Sequence, residues 1–221
     1  MTSLKEQTDA QFAKTRQAKP EFAQSIDELL AKAREFQEGG KAIAVGQPAP
    51  EFALPNAQGK TVALSAVLAD GPAVVMFYRG SWCPYCNLQL RAMQARMPEI
   101  RELGAQLVAI SPQMPDESLT QSERDELEFT VLSDQDASVA ATYGVAWKVP
   151  DLILEHMRND RGLDLSAINN GNGSVLPIPA TFVLSRDGVS GDGVVAWRYV
   201  NVDYRTRAEP KDVIAAIKNL A

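Results

Sequence analysis

The sequence predicts an α/β fold, a central mixed sheet flanked by helices, preceded by an N-terminal helical extension and an N-terminal β-hairpin. Three observations carry this prediction. Ala73-Val74-Val75-Met76-Phe77-Tyr78 is a continuous apolar, β-rich run, the pattern of a central strand covered on both faces. Leu88, Leu90, Met93, Met97 and Ile100 then recur at near-helical spacing, and Gln106 to Ser111 form a second apolar run. Strand, helix and strand in that order imply a right-handed parallel crossover. Finally, Ala180 to Leu184 and Val194 to Tyr199 flank a turn at Arg186-Asp187-Gly188, which adds an antiparallel pair and makes the sheet mixed.

The remaining elements follow in order. Residues 1 to 42 read as a polar helical extension, with Phe22, Ile26, Leu29, Ala33 and Phe36 on one stripe, a start at Pro20-Glu21 and a stop at Gly39-Gly40. The first dozen residues are open between helix and frayed chain, and the stripe calls for cover from the body or from a second copy in a homodimer. Val45 to Pro50 cannot continue a helix and lead into a hairpin, Glu51 to Leu54 against Lys60 to Leu64, turning at Asn56 to Gly59. Ser65 is placed to cap a brief helix to Leu68, and Gly71-Pro72 precede the central strand. The cysteine helix is expected to run through about residue 101 and to stop at Gly104. A polar helix is expected from Ser111-Pro112 to about Leu127, then a short strand Phe129 to Leu132, then a helix capped by Ser133 or Asp134 and ending at Tyr143-Gly144. Residues 43 to 221 form the main domain, interrupted at about 145 to 177 by an insertion with a helix near Leu152, Ile153 and Met157 and a loop at Asn169 to Gly173. Glu209-Pro210 open the last helix.

Composition excludes several classes. At 221 residues the chain can bury a substantial core, and a formal net charge of -6 without a basic run excludes a nucleic-acid surface. No stretch approaches the roughly 20 apolar residues of a membrane span. The N-terminus lacks the basic-then-apolar layout of a secretory signal, so a cytoplasmic location is expected.

The chemistry concentrates at Phe77-Tyr78-Arg79-Gly80-Ser81-Trp82-Cys83-Pro84-Tyr85-Cys86, which holds the only two cysteines. They sit where the central strand ends and a helix begins. Unpaired N–H groups and the positive end of a helix dipole stabilise a thiolate there. Two cysteines separated by two residues at such a place fit a dithiol that cycles to a disulfide. A zinc site would need two further soft ligands, and the chain offers only His156, so no metal or organic cofactor is expected. His156 itself reads as an ordinary polar helix residue. Two buried, inert thiols are the plainest alternative.

With Gly46-Gln47-Pro48-Ala49-Pro50-Glu51-Phe52 and Ile178-Pro179-Ala180-Thr181-Phe182-Val183 added to the cysteine segment, the chain resembles thioredoxin-fold proteins. Specifically, it is similar to the peroxiredoxin-like branch of the alkyl hydroperoxide reductase and thiol-specific antioxidant (AhpC/TSA) family, over roughly residues 43 to 220. The resemblance implies a cis bond between Ile178 and Pro179 beside the dithiol, where backbone groups would receive a substrate strand. It implies antioxidant chemistry with no cofactor. The departures are specific. In an ungapped match, Arg79 replaces a family proline, Cys83 replaces a threonine or serine, Cys86 matches the peroxide-attacking cysteine, and Pro179 stands where an arginine is expected.

The leading expectation is therefore a thiol-disulfide oxidoreductase. Cys83, projecting and more accessible, attacks a disulfide in a protein or small molecule, and Cys86 resolves the mixed disulfide. Trp82, Tyr85, Arg79, Ile178 and Pro179 surround the substrate, and a thiol such as thioredoxin or glutathione restores the pair. The alternative within enzymes is a peroxidase in which Cys86 meets the hydroperoxide. A redox-inactive binding module is the third reading.

Overall fold

A computed structural model describes residues 2–37, 41–114, 127–186 and 192–220. The expected helix from about 111 to 127, the Gly39-Gly40 stop and most of the turn after Arg186 lie largely or wholly outside these residues. Strands β3 (Ala73–Phe77), β4 (Gln106–Ser111), β5 (Thr130–Ser133), β8 (Ala180–Arg186) and β9 (Gly193–Val200) form one sheet in the order β5-β4-β3-β8-β9. β3 runs parallel to β4, and β4 to β5, whereas β8 is antiparallel to both β3 and β9. The mixed sheet read from the sequence is thus present.

All five β3 residues are buried because the sheet is covered on both faces. Val75 and Phe77 join the cluster containing Tyr143 and Phe182; Val74 and Met76 join the one containing Met93, Ile100 and Ile214. Each such side chain contributes roughly 1.5–3 kcal/mol of burial. The hairpin β1 (Ala53–Pro55) with β2 (Thr61–Ala63) is as expected, its turn fixed by Asn56 Oδ1 accepting from the N–H groups of Gln58 and Lys60.

Several expectations are corrected. The cysteine helix is two helices, α4 (Pro84–Gln94) and α5 (Met97–Glu102), because Pro98 has no N–H to donate and its ring would meet the Gln94 carbonyl in a continuous helix. Ser65 does not cap α3 (Leu64–Ala69); Glu51 Oε1 instead accepts from both its N–H and its hydroxyl at 3.1 Å. The first residues are ordered as α1 (Leu4–Ala18), held by a reciprocal Ser3–Glu6 cap, and Pro20 opens α2 (Pro20–Gln37). Of the proposed helix caps, Asp134 serves α6 (Ser138–Thr142), its carboxylate accepting from Val139 and Ala140 N–H.

Residues 145 to 177 carry more structure than their sequence suggested. β6 (Ala146–Lys148) and β7 (Val175–Pro177) pair antiparallel at the neck, with α7 (Asp151–Arg161) and α8 (Leu165–Ile168) between them. β7 runs on through Ile178, whose N–H donates to Val145 O at 2.7 Å, into β8. No described peptide bond is cis, so the expected cis bond at Pro179 is replaced by a trans one. An extended path from β7 to β8 suits the trans form, which is already preferred by about 0.5–1 kcal/mol at prolyl bonds. The last helix, α9 (Pro210–Lys218), begins where expected.

Candidate active site

The chain leaves β3 at Phe77 and makes a sharp turn before α4. Gly80 permits this turn, with φ at +142°. Ser81 N–H donates to Gln113 Oε1 at 2.8 Å, and Asn87 Nδ2 donates to Ser81 O at 2.7 Å, so the turn is tied to the chain just after β4 and to its own helix. Cys83 is the N-cap residue of α4, Pro84 is its first residue, and the Cys83 carbonyl accepts from Cys86 and Asn87 N–H. The sequence-predicted placement of the dithiol at a helix start is therefore observed.

Both cysteines are free thiols and both are buried, Cys83 at 1% and Cys86 at 0% exposure. The expectation of a projecting, exposed Cys83 is corrected. The difference between the sulfurs is one of direction. Cys83 lines a pocket of about 300 Å³, and Cys86 does not.

Elements far apart in sequence build that pocket. Trp82, Pro84, Tyr85 and Arg79 come from the turn and the start of α4, and Tyr204 from the segment before α9. Gln11 and Thr15 of α1, Phe22 of α2, and Ile153, His156, Met157 and Arg161 of α7 complete it. The N-terminal helices are joined to α7 by Phe22 stacked on His156 at 3.6 Å and by Lys19 paired with Asp160 at 2.8 Å. His156 Nδ1 contacts Asp160 at 2.6 Å, and burial pushes the imidazole below its ordinary pKa despite that carboxylate. His156 is thus a wall of the pocket, a placement its sequence context did not reveal. Ile178 and Pro179 do not line it.

The electrostatics separate the two thiols. Burial alone pushes Cys83 up, but hydrogen bonds from the Cys86 thiol and N–H and the charges of Arg79 and Arg207 outweigh it and bring Cys83 down to about 5. Cys86 is pushed well above its usual value by burial and by the neighbouring Cys83 sulfur. Cys83 is thus held as the more acidic of the two thiols. On titration, ultraviolet thiolate absorbance should rise by one equivalent through about pH 5, the second rising only above the ordinary thiol range. A single joint transition near the ordinary pKa of about 8.5 would contradict this assignment.

Two arginines supply the positive charge. Arg79, 4% exposed, lies over the ring of Tyr204 at 4.2 Å and of Trp82 at 5.1 Å. Arg207, 7% exposed, donates from Nη2 to Cys86 Sγ at 3.2 Å. Neither has a carboxylate partner among the described residues. Sequence reasoning found Arg79 from its place in the motif and missed Arg207, 121 residues from its sulfur. The one available signal was a pair of arginines, Arg205 and Arg207, in the short segment before α9. No group of acidic, histidine or cysteine residues suited to a metal occurs among the described residues.

Comparison with known proteins now places the fold and motif. Residues 45–189 match the AhpC/TSA family. The chain belongs to this family. Peroxiredoxin Bcp of Escherichia coli (strain K12) is 31% identical over 103 residues, 47% of this chain and 65% of that protein. A putative peroxiredoxin bcp of Haemophilus influenzae is 36% identical over 103 residues, covering 47% and 66%. The chain therefore spans just under two thirds of the length of these curated relatives. The crystal structure of peroxidoxin BcpB from Mycobacterium tuberculosis superposes with a TM-score of 0.60 at 23% identity, covering 81% of this chain and 99% of that one. The peroxiredoxin-like thioredoxin fold is thus shared across the main body. No helix among the described residues is long and apolar enough to cross a membrane.

Proposed function

We propose that the chain is a thiol-dependent peroxidase for small hydroperoxides, with Cys83 as the attacking sulfur and Cys86 as the resolving one. The observation that carries this reading is that Cys83 opens onto a pocket of about 300 Å³ walled by α1, α2 and α7. A small hydroperoxide fits such a space, whereas a protein disulfide would need those helices to move aside. The peroxiredoxin names of the relatives support the same class, in preference to disulfide exchange as the main activity.

In the first step the Cys83 thiolate attacks the terminal peroxide oxygen. An S–O bond forms, the O–O bond breaks, and the alkoxide leaves with a proton as an alcohol. Arg79 in the pocket wall supplies positive charge where the alkoxide develops. The Cys86 sulfur then attacks the Cys83 sulfenic acid, forming the Cys83–Cys86 disulfide and releasing water. Two equivalents of an external thiol, of the thioredoxin or glutathione kind, return the pair to the dithiol and leave as their own disulfide.

Disulfide exchange is retained as a second reading on one specific observation: Cys83 and Cys86 are both free thiols within the first turn of α4, an arrangement that serves a dithiol equally well with a disulfide substrate. Steady-state turnover with a thiol donor separates the two. Hydroperoxide turnover should exceed protein-disulfide turnover by about tenfold or more, because the pocket beside Cys83 is of the size of a small substrate. The opposite ranking would overturn the proposal in favour of exchange.

A further inference from the structure

In the peroxide step Arg207 acts on Cys83 only through its charge, which helps to hold that thiol low. It does not line the pocket, so it does not meet the peroxide. Its Nη2 instead reaches the back of the pair and donates to Cys86 Sγ at 3.2 Å. Cys86 therefore faces a buried cation. A buried guanidinium held against a sulfur stabilises the state in which that sulfur is charged.

The orientation of Arg207 is fixed by contacts that do not involve the cysteines. Its Nη1 donates to the carbonyls of Tyr204 and Thr206. The surrounding segment is anchored by Arg205, which pairs with Asp203 at 2.8 Å and reaches α2 at Asp27, 2.6 Å away. The guanidinium has no carboxylate partner among the described residues, so its charge is free to act on the sulfur.

We infer that Arg207 is a positioning residue for Cys86, holding its sulfur and taking up its negative charge whenever Cys83 no longer carries one. This matters most when the disulfide is reduced. An external thiolate attacks Cys83 Sγ, an S–S bond forms between reductant and Cys83, the Cys83–Cys86 bond breaks, and its electron pair leaves on Cys86. A second thiol then attacks the mixed disulfide, releasing the Cys83 thiolate and the oxidised reductant. The reductant is directed to Cys83 because only that cysteine lines the pocket, and Arg207 beside Cys86 stabilises the negative charge that the leaving sulfur takes up. The same contact supplies the Cys86 thiolate when it attacks an oxidised Cys83. The inference rests on the Cys83–Cys86 disulfide of the proposed cycle, but not on which oxidant forms it.

The test therefore uses full-length protein oxidised with a chemical disulfide-forming reagent, and needs no peroxide turnover. Arg207→Met should slow reduction of the disulfide by dithiothreitol about tenfold or more, with Arg207→Lys recovering part of the loss. In a Cys83→Ala background, where Cys86 is the only thiol, the pH profile of Cys86 alkylation reports that thiol without the neighbouring sulfur. Adding Arg207→Met should move the break in that profile upward by about one unit or more. A merely structural Arg207 would lower the melting temperature and leave the break unmoved. An unmoved break with unchanged reduction rate in folded protein would overturn the inference. Should Arg207→Met fail to fold, Arg207→Gln decides by the same two readouts: an unmoved break with an unchanged reduction rate would overturn it.

Discussion

Replacing Cys83 with serine is expected to reduce thiol-dependent hydroperoxide turnover by about 10³-fold or more, because no other thiol lines the pocket. A serine hydroxyl beside Arg79 and Cys86 stays protonated at neutral pH and cannot replace a thiolate whose pKa is about 5. Cys86→Ser should behave differently. It removes the resolving thiol but leaves Cys83 and its arginines in place, so a first equivalent of peroxide should still be consumed quickly while multiple turnover falls. Single-turnover and steady-state rates of the two variants provide the check. Equal loss of both rates in both variants would mean that the sulfurs do not have separate jobs.

Gly80→Ala is expected to damage both fold and site. At φ +142° an alanine is strained, and its Cβ would lie 2.4 Å from Trp82 Nε1, 2.9 Å from Trp82 Cδ1 and 3.0 Å from Gln113 Oε1. Gln113 accepts from Ser81 N–H, and Trp82 lies beside Arg79, so neither neighbour can yield without loosening the turn that presents Cys83. Backbone strain and overpacking together should cost roughly 2–4 kcal/mol. That is a large share of the ~5–15 kcal/mol by which a typical domain is stable. Urea unfolding and peroxide turnover of the variant measure the two consequences, and a loss below ~0.5 kcal/mol with full activity would show that the turn adapts.

The parts of this molecule legible in its sequence are those set by local pattern. The unbroken apolar run of β3, the alternate register of the hairpin and Pro210 at the start of α9 each announce their element through neighbours in the chain. The dithiol was legible for the same reason, since Cys83, Pro84 and Cys86 define a helix start among themselves. The apolar spacing of Met93, Met97 and Ile100 argued for one continuous helix, and Pro98, which breaks it, was passed over.

What stayed hidden depends on pairs distant in sequence. Phe22 gave only a stripe needing cover, and nothing local said that the cover would be His156 on α7 or that the two would wall in Cys83. Burial of Cys83 followed from that closure, which is why a projecting thiol was expected instead. Arg207 was invisible because its partner lies across the fold on α4. Pro179 was misread through resemblance: its expected geometry belonged to a substrate groove, while here the chain passes straight from β7 into β8.

The claim that Cys83 meets the substrate and Cys86 resolves is tested most directly by mass spectrometry of Cys86→Ser and Cys83→Ser, each given a stoichiometric pulse of hydroperoxide with a sulfenic-acid trap. The predicted result is rapid trapping on Cys83 in Cys86→Ser and almost none in Cys83→Ser. Rapid sulfenic acid on Cys86 in Cys83→Ser would contradict the account, because it would make Cys86, the sulfur turned away from the pocket, the one that reacts first.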